Sequence, residues 1–554
     1  MPSAHVDSFA RDRLPPRELQ PEYVFELPEL QFPEQLNCAV ELLDEAVDER
    51  GWGEHPCIVG PGVRWSYAEL RRKADAIAHV LVREMGVQPG HRVLLRAPNN
   101  PMLAACWFAV MKTGAIAVAT MPLLRAKELK QVVAKAQVSH ALCDRALAEE
   151  LELARPACPT LRALRYFNDA SPEGLEASLA RHDAPFAAVD TAADDTCLLA
   201  FTSGTTGEPK ATMHFHRDVV AVCRCWPAHV LRAQASDVFI GSPPLGFTFG
   251  LGGLLLFPLS VGASTVLLEK ATPPVLLDAI AEYRATVLFT APTTYRAIAE
   301  QARERRLSSA LGGPLRKCVA AGEALPAATR RLWKEATGIE IIDGIGSTEM
   351  LHIFISADEE HARGGATGTP VPGYQACILG DDGQPVARGQ VGRLAVRGPT
   401  GCRYLDDERQ ASYVQHGWNL TGDAYLQDED GYFRYQARTD DMIISAGYNI
   451  AAPEVETVLL EHPAVAECAV IGVPDEERGH IVKAFVVPRA GHVADAALAR
   501  ALQDYVKATV APYKYPRAIE FRAELPRTAT GKLQRFRLKA GADAAPAAAP
   551  ETRA

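Results

Sequence analysis

Residues 202–210 combine hydroxyl side chains, two glycines and a lysine in one short loop. Glycines let backbone amides approach an anion, hydroxyls donate hydrogen bonds to phosphate oxygens, and a lysine adds a mobile positive charge. The loop predicts a phosphate-binding site, with a flexible surface turn as the alternative. Pro209 separates the last glycine from the lysine, which argues against a Walker loop. The residues assigned to this site are Thr202, Ser203, Gly204, Thr205, Thr206, Gly207 and Lys210.

A second polar cluster follows the apolar pair Ile341-Ile342 and ends in a glutamate. Glutamate is an oxygen ligand suited to Mg²⁺, and the threonine before it can reach a phosphate. A loop at a strand end could therefore hold metal and nucleotide together. A polar turn without a ligand is the alternative. The cluster consists of Gly344, Ile345, Gly346, Ser347, Thr348 and Glu349.

Asp423 follows a threonine and a glycine and predicts a ribose contact. A carboxylate suits both ribose hydroxyls, because each hydroxyl offers one proton and the carboxylate has lone pairs for two. The charged residues 438–441 come shortly afterwards, and for them a solvated surface loop is the alternative.

Near the end of the chain, residues 526–532 form a threonine-containing turn that ends in Gly531 and Lys532. A lysine held on such a turn can bring a compact positive charge to a site where negative charge develops. The alternative is a surface lysine beside a turn, which is the commoner context of a Gly-Lys pair. The functional interpretation of this motif therefore depends on the presence of the three motifs above.

The elements that would position these motifs alternate between apolar runs and helical patterns. The run at residues 197–201 predicts a buried strand leading into the first loop, and a helix at 273–283 supplies a crossover between parallel strands. Short glycine-punctuated strands such as 392–398 indicate a β-rich subdomain, and a small α+β unit follows from residue 441. The predicted fold class is α/β with a β-rich subdomain and a small C-terminal domain.

Composition narrows the possible functions. The 554 residues are 48% hydrophobic and 23% charged, which indicates a soluble protein of two or more domains. A net charge of −10 without a Lys/Arg block argues against a nucleic-acid partner. No secretory signal or membrane span is evident, so a cytoplasmic location is expected. Twelve scattered cysteines without a CxxC pair predict reduced thiols, and the His-x-His-x-Asp stretch at 214–218 is interpreted as structural because it lacks further metal ligands.

Together and in this order, the four motifs resemble those of the adenylate-forming enzymes, a superfamily of acyl-CoA synthetases, peptide-synthetase adenylation domains and firefly luciferase. The resemblance covers roughly residues 42–532. It implies an N-terminal adenylation domain over residues 1–439, a mobile C-terminal domain over 440–540 and a disordered Ala/Pro-rich tail over 541–554. In the family an aromatic residue usually stacks on adenine where this chain has Ile345.

The resemblance also implies roles for single residues. Glu349 binds Mg²⁺, Thr348 contacts the α-phosphate, and Lys532 bridges the substrate carboxylate and the α-phosphate; with Lys210 these form the catalytic set. Asp440 is the hinge of the C-terminal domain. Besides the two glycine-containing motifs, the ATP contacts are Asp423, Tyr435, Arg438 and Lys532.

The same resemblance locates an acyl pocket and a CoA channel. Thr248 stands where peptide-synthetase domains carry an aspartate for an α-amino group, which disfavours an amino-acid substrate. Phe247 would form a flat wall against an aryl ring and His352 would meet a polar substituent or the carboxylate, although both could be ordinary core residues. The pocket residues are Phe247, Thr248, Ala321, Gly322, Ile345, Gly346 and His352, and the CoA residues are Ser445, Ala446, Gly447 and Tyr448.

Within the superfamily the chain most closely resembles the benzoate-CoA ligase branch, and 2-aminobenzoate-CoA ligases in particular, through residues 214–218, 247–253 and 346–352. The implied function is ATP- and Mg²⁺-dependent activation of an aromatic acid to its acyl-adenylate and then to the coenzyme A thioester, in aromatic compound degradation. The alternatives are transfer to the phosphopantetheine of a carrier protein and a fold relative without turnover. A monomer and a homodimer both stay open.

Overall fold

The computed structural model describes residues 2–202, 209–304, 313–439, 442–445, 448–475, 478–510, 512–527, 533–535 and 537–539. In these residues two large, mainly parallel sheets are followed by an antiparallel β subdomain and two small sheets. The predicted α/β class with a β-rich subdomain and a small C-terminal unit is therefore confirmed.

The strands are numbered in chain order. They are β1 Pro56–Gly60, β2 Val63–Ser66, β3 Arg92–Arg96, β4 Ile116–Thr120, β5 His140–Asp144, β6 Ala163–Phe167, β7 Thr196–Thr202, β8 Lys210–Phe215, β9 Val238–Gly241, β10 Ser264–Val266, β11 Val287–Thr290, β12 Lys317–Ala320, β13 Ile341–Gly346, β14 Ile353–Ser356, β15 Thr369–Pro370, β16 Gln375–Leu379, β17 Val391–Arg397, β18 Val414–Gln415, β19 Trp418–Gln427, β20 Phe433–Arg438, β21 Met442–Ser445, β22 Tyr448–Ala451, β23 Val465–Asp475, β24 Gly479–Pro488 and β25 Ala518–Phe521.

Helices connect most of the parallel strands. The α-helices are Glu45–Asp48, Tyr67–His79, Pro101–Lys112, Ala126–Ala136, Ala148–Ala154, Leu175–Leu179, His216–Arg224, Thr248–Leu251, Phe257–Ser260, Pro273–Glu282, Pro292–Glu304, Ala327–Thr337, Gln410–Tyr413, Ala452–Glu461 and Ala496–Thr509. Wider π-helical turns occur at Val40–Asp44, Val80–Glu84, Pro227–Leu231 and Gly252–Leu256, and 3₁₀ turns at Arg11–Arg13, Arg17–Leu19, Pro28–Leu30, Arg145–Leu147, Arg155–Ala157 and Pro512–Lys514. None of the described helices combines the length and apolarity that crossing a bilayer requires.

The first sheet has the strand order β6-β5-β3-β4-β7-β8 and is parallel except for β8, which runs antiparallel to β7. Its inner strands β3, β4 and β5 are buried over their whole length, as strands covered on both faces must be. The predicted phosphate loop connects β7 to β8 at the sheet edge, although residues 203–208 lie outside the described residues. Lys210 is the first residue of β8 rather than part of the loop.

The second sheet has the order β15-β14-β13-β12-β11-β9-β10-β1-β2. Its neighbours β9, β11, β12 and β13 are parallel, so their carboxyl ends lie along one edge, where ligands of open α/β sheets bind. The predicted crossover helix is present as Pro273–Glu282. The prediction that residues 344–346 belong to a loop is wrong, because β13 continues to Gly346 and pairs with β14. Side chains at Gly344 and Gly346 would collide with Ile353 and the backbone of His352.

The β-rich subdomain is an antiparallel sheet of β16 to β20, and the C-terminal unit has its own buried core. In that unit β21 and β22 form a hairpin, β23 pairs antiparallel with β24, and β25 runs parallel to β24. The helix Ala452–Glu461 contacts the helix Ala327–Thr337 and β20, which joins this unit to the rest of the chain.

Candidate active site

A chain of polar contacts runs from the partly buried Lys210 through Tyr404 to Glu349, and the last two are buried. The segment after β17 lies beside β8, where Met213 N donates to Arg403 O (2.7 Å) and Leu405 N donates to Ala211 O (2.8 Å). This pairing brings the hydroxyl of Tyr404 to Lys210 Nζ at 3.1 Å. The same hydroxyl donates to Glu349 Oε1 at 2.5 Å. A phenol therefore connects the ammonium group to the carboxylate.

The protonation of Tyr404 follows from its surroundings. Burial and the charge of Glu349 raise the pKa of Tyr404 well above its ordinary value, so the phenol stays protonated at neutral pH. It can donate only to the carboxylate and accepts from the lysine. Tyr404 thus occupies one of the two oxygens of Glu349. A buried carboxylate with a second oxygen suits Mg²⁺, which binds proteins through one or two carboxylates and otherwise keeps waters and phosphates.

A tight turn links Glu349 to His352. Thr348 O accepts hydrogen bonds from His214 Nε2 (2.8 Å) and from Leu351 N (3.2 Å). Leu351 is buried and has φ +69°, a left-handed conformation that a leucine adopts at an energetic cost. Packing therefore overrides a local backbone preference at this turn and fixes the spacing between Glu349 and His352.

Within the stretch 214–218, His214 and Asp218 make contacts that hold the backbone of the site. Asp218 and Arg403 are fully buried and form an ion pair behind β8. Burial acts to raise the pKa of Asp218, but the guanidinium of Arg403 outweighs it and lowers that pKa. Arg403 Nε also donates to Met213 O at 3.1 Å. This buried pair anchors the segment that carries Tyr404.

The predicted ribose residues lie opposite each other on β19 and β20. Asp423 pairs with Arg438 in the sheet, and Arg438 donates to Asp423 Oδ1 at 3.1 Å. Gly422 has φ +77°, and a side chain there would reach within 2.6 Å of the Arg438 guanidinium. Tyr413 connects this pair to the turn: its hydroxyl lies 3.3 Å from Ser347 Oγ, and, besides burial, the charges of Glu349 and Asp423 raise its pKa.

The acyl-pocket residues come from the carboxyl ends of neighbouring strands. Phe247 and Thr248 follow β9, with Thr248 beginning a short helix, and Ala321 and Gly322 follow β12. Ile345 lies on the adjacent β13. Strand order therefore brings the predicted pocket residues to one edge of the second sheet. Their roles remain predictions.

His352 lies in an aromatic cluster at this edge. Its ring centroid is 4.4 Å from that of Phe257, 5.7 Å from Phe249 and 5.9 Å from Trp226. Burial lowers the pKa of His352 to about 3, so the imidazole is neutral at physiological pH. A side chain at Gly252 would come within 2.3 Å of this imidazole, which explains the glycine in that position.

Tyr404 and Asp343 are among the residues of this region that were not predicted. Tyr404 lies in no motif, and only its pairing with β8 brings it to Lys210. Asp343 directly precedes Gly344, and this position next to the polar cluster is the sequence feature that could have indicated it as a site residue. Burial raises the pKa of Asp343 to about 7.

Several predicted residues lie outside the described residues: Ser203, Gly204, Thr205, Thr206, Gly207, Asp440, Ala446, Gly447 and Lys532. Described neighbours flank Lys532. Arg527 and Leu533 form an antiparallel bridge, and Arg527 NH1 lies 3.9 Å from Glu323 Oε1, next to the predicted pocket residue Gly322. Ser445 and Tyr448 pair at the ends of the β21–β22 hairpin, and Tyr435 lies on β20.

Comparison with known proteins gives matches over most of the chain. The family model described as AMP-binding enzyme matches residues 43–403, and that described as AMP-binding enzyme C-terminal domain matches residues 454–532. Benzoate--CoA ligase of Thauera aromatica is 34% identical over 519 residues, covering 92% of this chain and 97% of the relative. The structure of the anthranilate CoA ligase AuaEII with anthranoyl-AMP has a TM-score of 0.86, 34% identity and coverage of 93% and 99%. The structure of a benzoate CoA ligase from Burkholderia xenovorans LB400 has a TM-score of 0.82 and 30% identity, and the match covers 91% of this chain and 100% of that chain.

Proposed function

The chain belongs to the AMP-binding enzyme family, and from this membership we propose that it activates an aromatic acid of the benzoate or 2-aminobenzoate kind. The acid reacts with ATP to give the acyl-adenylate and pyrophosphate, and coenzyme A then displaces AMP to give the thioester. The matches confirm the superfamily and branch that the motifs resembled.

One observation carries this proposal. Glu349 and His352 lie on the same buried turn, and Tyr404 connects Glu349 to Lys210. Charged groups suited to a triphosphate therefore lie three residues from an aromatic cluster suited to an aryl ring. An acid seated beside His352 would have its carboxylate close to the phosphate side of the site, as adenylation requires.

The two steps follow from the charges. In the first, a carboxylate oxygen of the acid forms a bond to the α-phosphorus, the bond to the bridging oxygen of pyrophosphate breaks, and pyrophosphate leaves. Both reactants are anions, so cations and oriented donors lower the barrier. Lys210 supplies one positive charge, and Glu349 would hold Mg²⁺, which when bound neutralises phosphate charge. In the second step the thiolate of coenzyme A attacks the acyl carbon, and AMP leaves with the electrons of the C–O bond.

Lys532 and Asp440 complete the proposal. Lys532 would bridge the acid and the α-phosphate in the first step, and rotation of the C-terminal domain at Asp440 would replace it by the channel residues Ser445–Tyr448 for the second. The contact between Arg527 and Glu323 supports this role, because Arg527 lies five residues before Lys532 and Glu323 follows the pocket residues Ala321 and Gly322. Asp423 and Arg438 would hold the ribose.

Pocket chemistry favours an aryl acid. The rings around His352 are apolar, and the imidazole itself is neutral because its pKa is about 3. An uncharged aromatic ring can pack against such surfaces with a gain of roughly 0.5–1.5 kcal/mol beyond its buried area. The neutral imidazole can hydrogen-bond a ring substituent, as an amino group in the 2 position would offer.

A purified-protein assay tests the function. Pyrophosphate release is measured with ATP, Mg²⁺ and benzoate, 2-aminobenzoate, hydroxybenzoates, phenylacetate or a long-chain fatty acid, with and without coenzyme A. We expect release that depends on an aromatic acid and thioester only with coenzyme A. Absence of acid-dependent pyrophosphate contradicts enzymatic activity. Adenylate that accumulates in the presence of coenzyme A indicates a carrier protein as acceptor, and a preference for the fatty acid contradicts the aryl pocket.

A further inference from the structure

Cys38, Cys197 and His216 form a buried cluster outside the proposed active site, called here the thiol cluster. One ligand atom from each residue lies within 4.8 Å of the other two, and all three side chains are fully buried. The Cys38 sulfur is 3.2 Å from His216 Nδ1. Distant parts of the sequence contribute these residues, so their spacing along the chain gave no metal signature.

The elements of the thiol cluster meet at Asp195. Cys38 precedes the turn Val40–Asp44, Cys197 is the second residue of β7, and His216 begins the helix His216–Arg224. His216 N donates to Asp195 O at 3.2 Å, and Ala4 N donates to Asp195 Oδ2 at 2.9 Å. The N-terminal segment is therefore fixed beside the same residue, and His5, the next residue, lies within electrostatic range of His216. The ring nitrogens of His5 do not belong to the group within 4.8 Å.

We propose that the thiol cluster is a binding site for a borderline-soft divalent cation, Zn²⁺ in the first place. Cys38, Cys197 and His216 are its ligands, and the side chain of His5 turns toward them to become the fourth. Two sulfur and two nitrogen ligands form a common structural zinc site. His5 is buried, and among the described residues neither its Nε2 nor Nε2 of His216 has a hydrogen-bond partner.

Charge balance agrees with this assignment. Binding displaces the protons of both thiols to solvent, and the two thiolates then neutralise the charge of the cation, as a fully buried site requires. Mg²⁺ prefers oxygen ligands and does not compete for these sulfurs.

A cation here would connect the N-terminal segment, β7 and the helix that follows β8. Cys197 lies near the start of β7, whereas the predicted phosphate loop follows the end of that strand, so the site would stabilise β7 without contacting substrate. Its effects are therefore expected on stability and metal content before catalysis. The alternative is a metal-free hydrogen-bond network, in which His216 Nδ1 accepts from Cys38 N at 3.1 Å.

Metal content of the whole, untagged protein tests the proposal. After expression with added Zn²⁺ and dialysis, we expect about one zinc ion per chain by mass spectrometry, and a lower melting temperature after chelation. The Co²⁺-loaded protein should show thiolate-to-cobalt charge-transfer absorption and the visible bands of tetrahedral cobalt. Absence of both zinc and the cobalt spectrum in the wild-type protein overturns the proposal without the need for a variant.

Variants assign the ligands. Cys38→Ala and Cys197→Ala should reduce bound zinc to below about a tenth of the wild-type level, since each removes a thiolate ligand. His5→Ala should raise the zinc dissociation constant at least about tenfold, since it removes the fourth ligand. Cys57→Ala is the matched control, because Cys57 is fully buried and outside the thiol cluster. Unchanged zinc in the two cluster cysteine variants, or loss equal to that in the control, contradicts the site, and unchanged affinity in His5→Ala contradicts the fourth ligand.

Discussion

The nucleotide side of the proposed site and the C-terminal domain that would deliver Lys532 are held by contacts of different kinds. On the nucleotide side, Tyr404 is 1% exposed and Glu349 is 7% exposed, and the Arg403–Asp218 pair behind them is completely buried. Between the domains, the ion pairs Arg489–Glu300 (3.8 Å) and Arg527–Glu323 (3.9 Å) are partly solvent-exposed. Such exposed pairs contribute little free energy, about 0–1 kcal/mol each.

This difference has a functional reason. Groups that stabilise developing charge act best when they are fixed and dry before the reaction. A lysine that serves one step and must leave before the next needs contacts that break easily. The buried network and the weak domain contacts thus suit the two demands of a two-step reaction at one site.

The largest effect is expected in the C-terminal domain, for Lys532→Ala. Loss of the bridging charge should reduce acid-dependent pyrophosphate release about 10³-fold, whereas thioester formation from supplied acyl-adenylate should change little. The two half-reactions are measured separately. Lys507→Ala, on the helix Ala496–Thr509 of the same domain, is the control. Equal losses in both half-reactions would contradict the division of roles between the two regions.

On the nucleotide side of the site, Glu349→Gln should reduce the adenylation rate about 10²-fold and raise the Mg²⁺ concentration required for half-maximal rate. The amide keeps the shape of the side chain but removes the charge that would hold the cation. Rates of pyrophosphate release across a Mg²⁺ titration give both quantities, and the exposed Glu335→Gln serves as control. A lower maximal rate with an unchanged Mg²⁺ requirement would remove Glu349 as the metal ligand.

Tyr404→Phe tests the connection between Lys210 and Glu349. Removal of one hydroxyl leaves the buried carboxylate without its donor, which costs about 1.5–3 kcal/mol for a bond to a charged group, so kcat should fall about tenfold or more with little change in KM for the acid. Tyr413→Phe is matched, since within the described part of the chain it removes one side-chain contact, at 3.3 Å from Ser347 Oγ. Equal effects of the two variants would mean that the connection has no special role.

On the nucleotide side, the raised pKa of Asp343 predicts that the stability of the folded chain depends on pH. Its pKa is about 7 in the folded chain against 3.8 ordinarily, so the folded chain binds more protons between these values. The stabilisation from this group is complete below about pH 4 and is lost as the pH rises to 7. Asp343→Asn should therefore reduce the loss of unfolding free energy between pH 5 and pH 8, measured in urea. The exposed Asp381→Asn should leave that loss at the wild-type value. Asp343→Asn would do the same if the carboxyl of this partly buried acid were solvated in the folded chain.

The sequence predicted those strands and helices that depend on a local pattern of residues. The strand at 197–201 and the helix at 273–283 appear as β7 and Pro273–Glu282, because apolar runs and turn residues mark such elements directly. Tyr404 and the thiol cluster were not predicted as parts of any site, because each depends on contacts between residues far apart in sequence. The extension of β13 to Gly346 depends on its pairing with β14, which likewise has no local signal.

The smallest effect is expected from the contact between the domains at the pocket. Glu323→Arg places like charges opposite Arg527 and leaves the 2.8 Å pair of Arg527 with Glu467 in place. It should slow adenylation less than about fivefold, because exposed pairs contribute at most about 1 kcal/mol. Glu323→Gln removes only the charge and should slow adenylation less than Glu323→Arg does. Arg522→Ala, which breaks a pair with Glu520 inside the C-terminal unit, is the control. Because the contact favours only the conformation that adenylates, thioester formation from supplied adenylate should not slow. If Glu323→Arg slowed both half-reactions, or if Glu323→Gln slowed adenylation as much as Glu323→Arg, the contact would not favour the adenylating conformation.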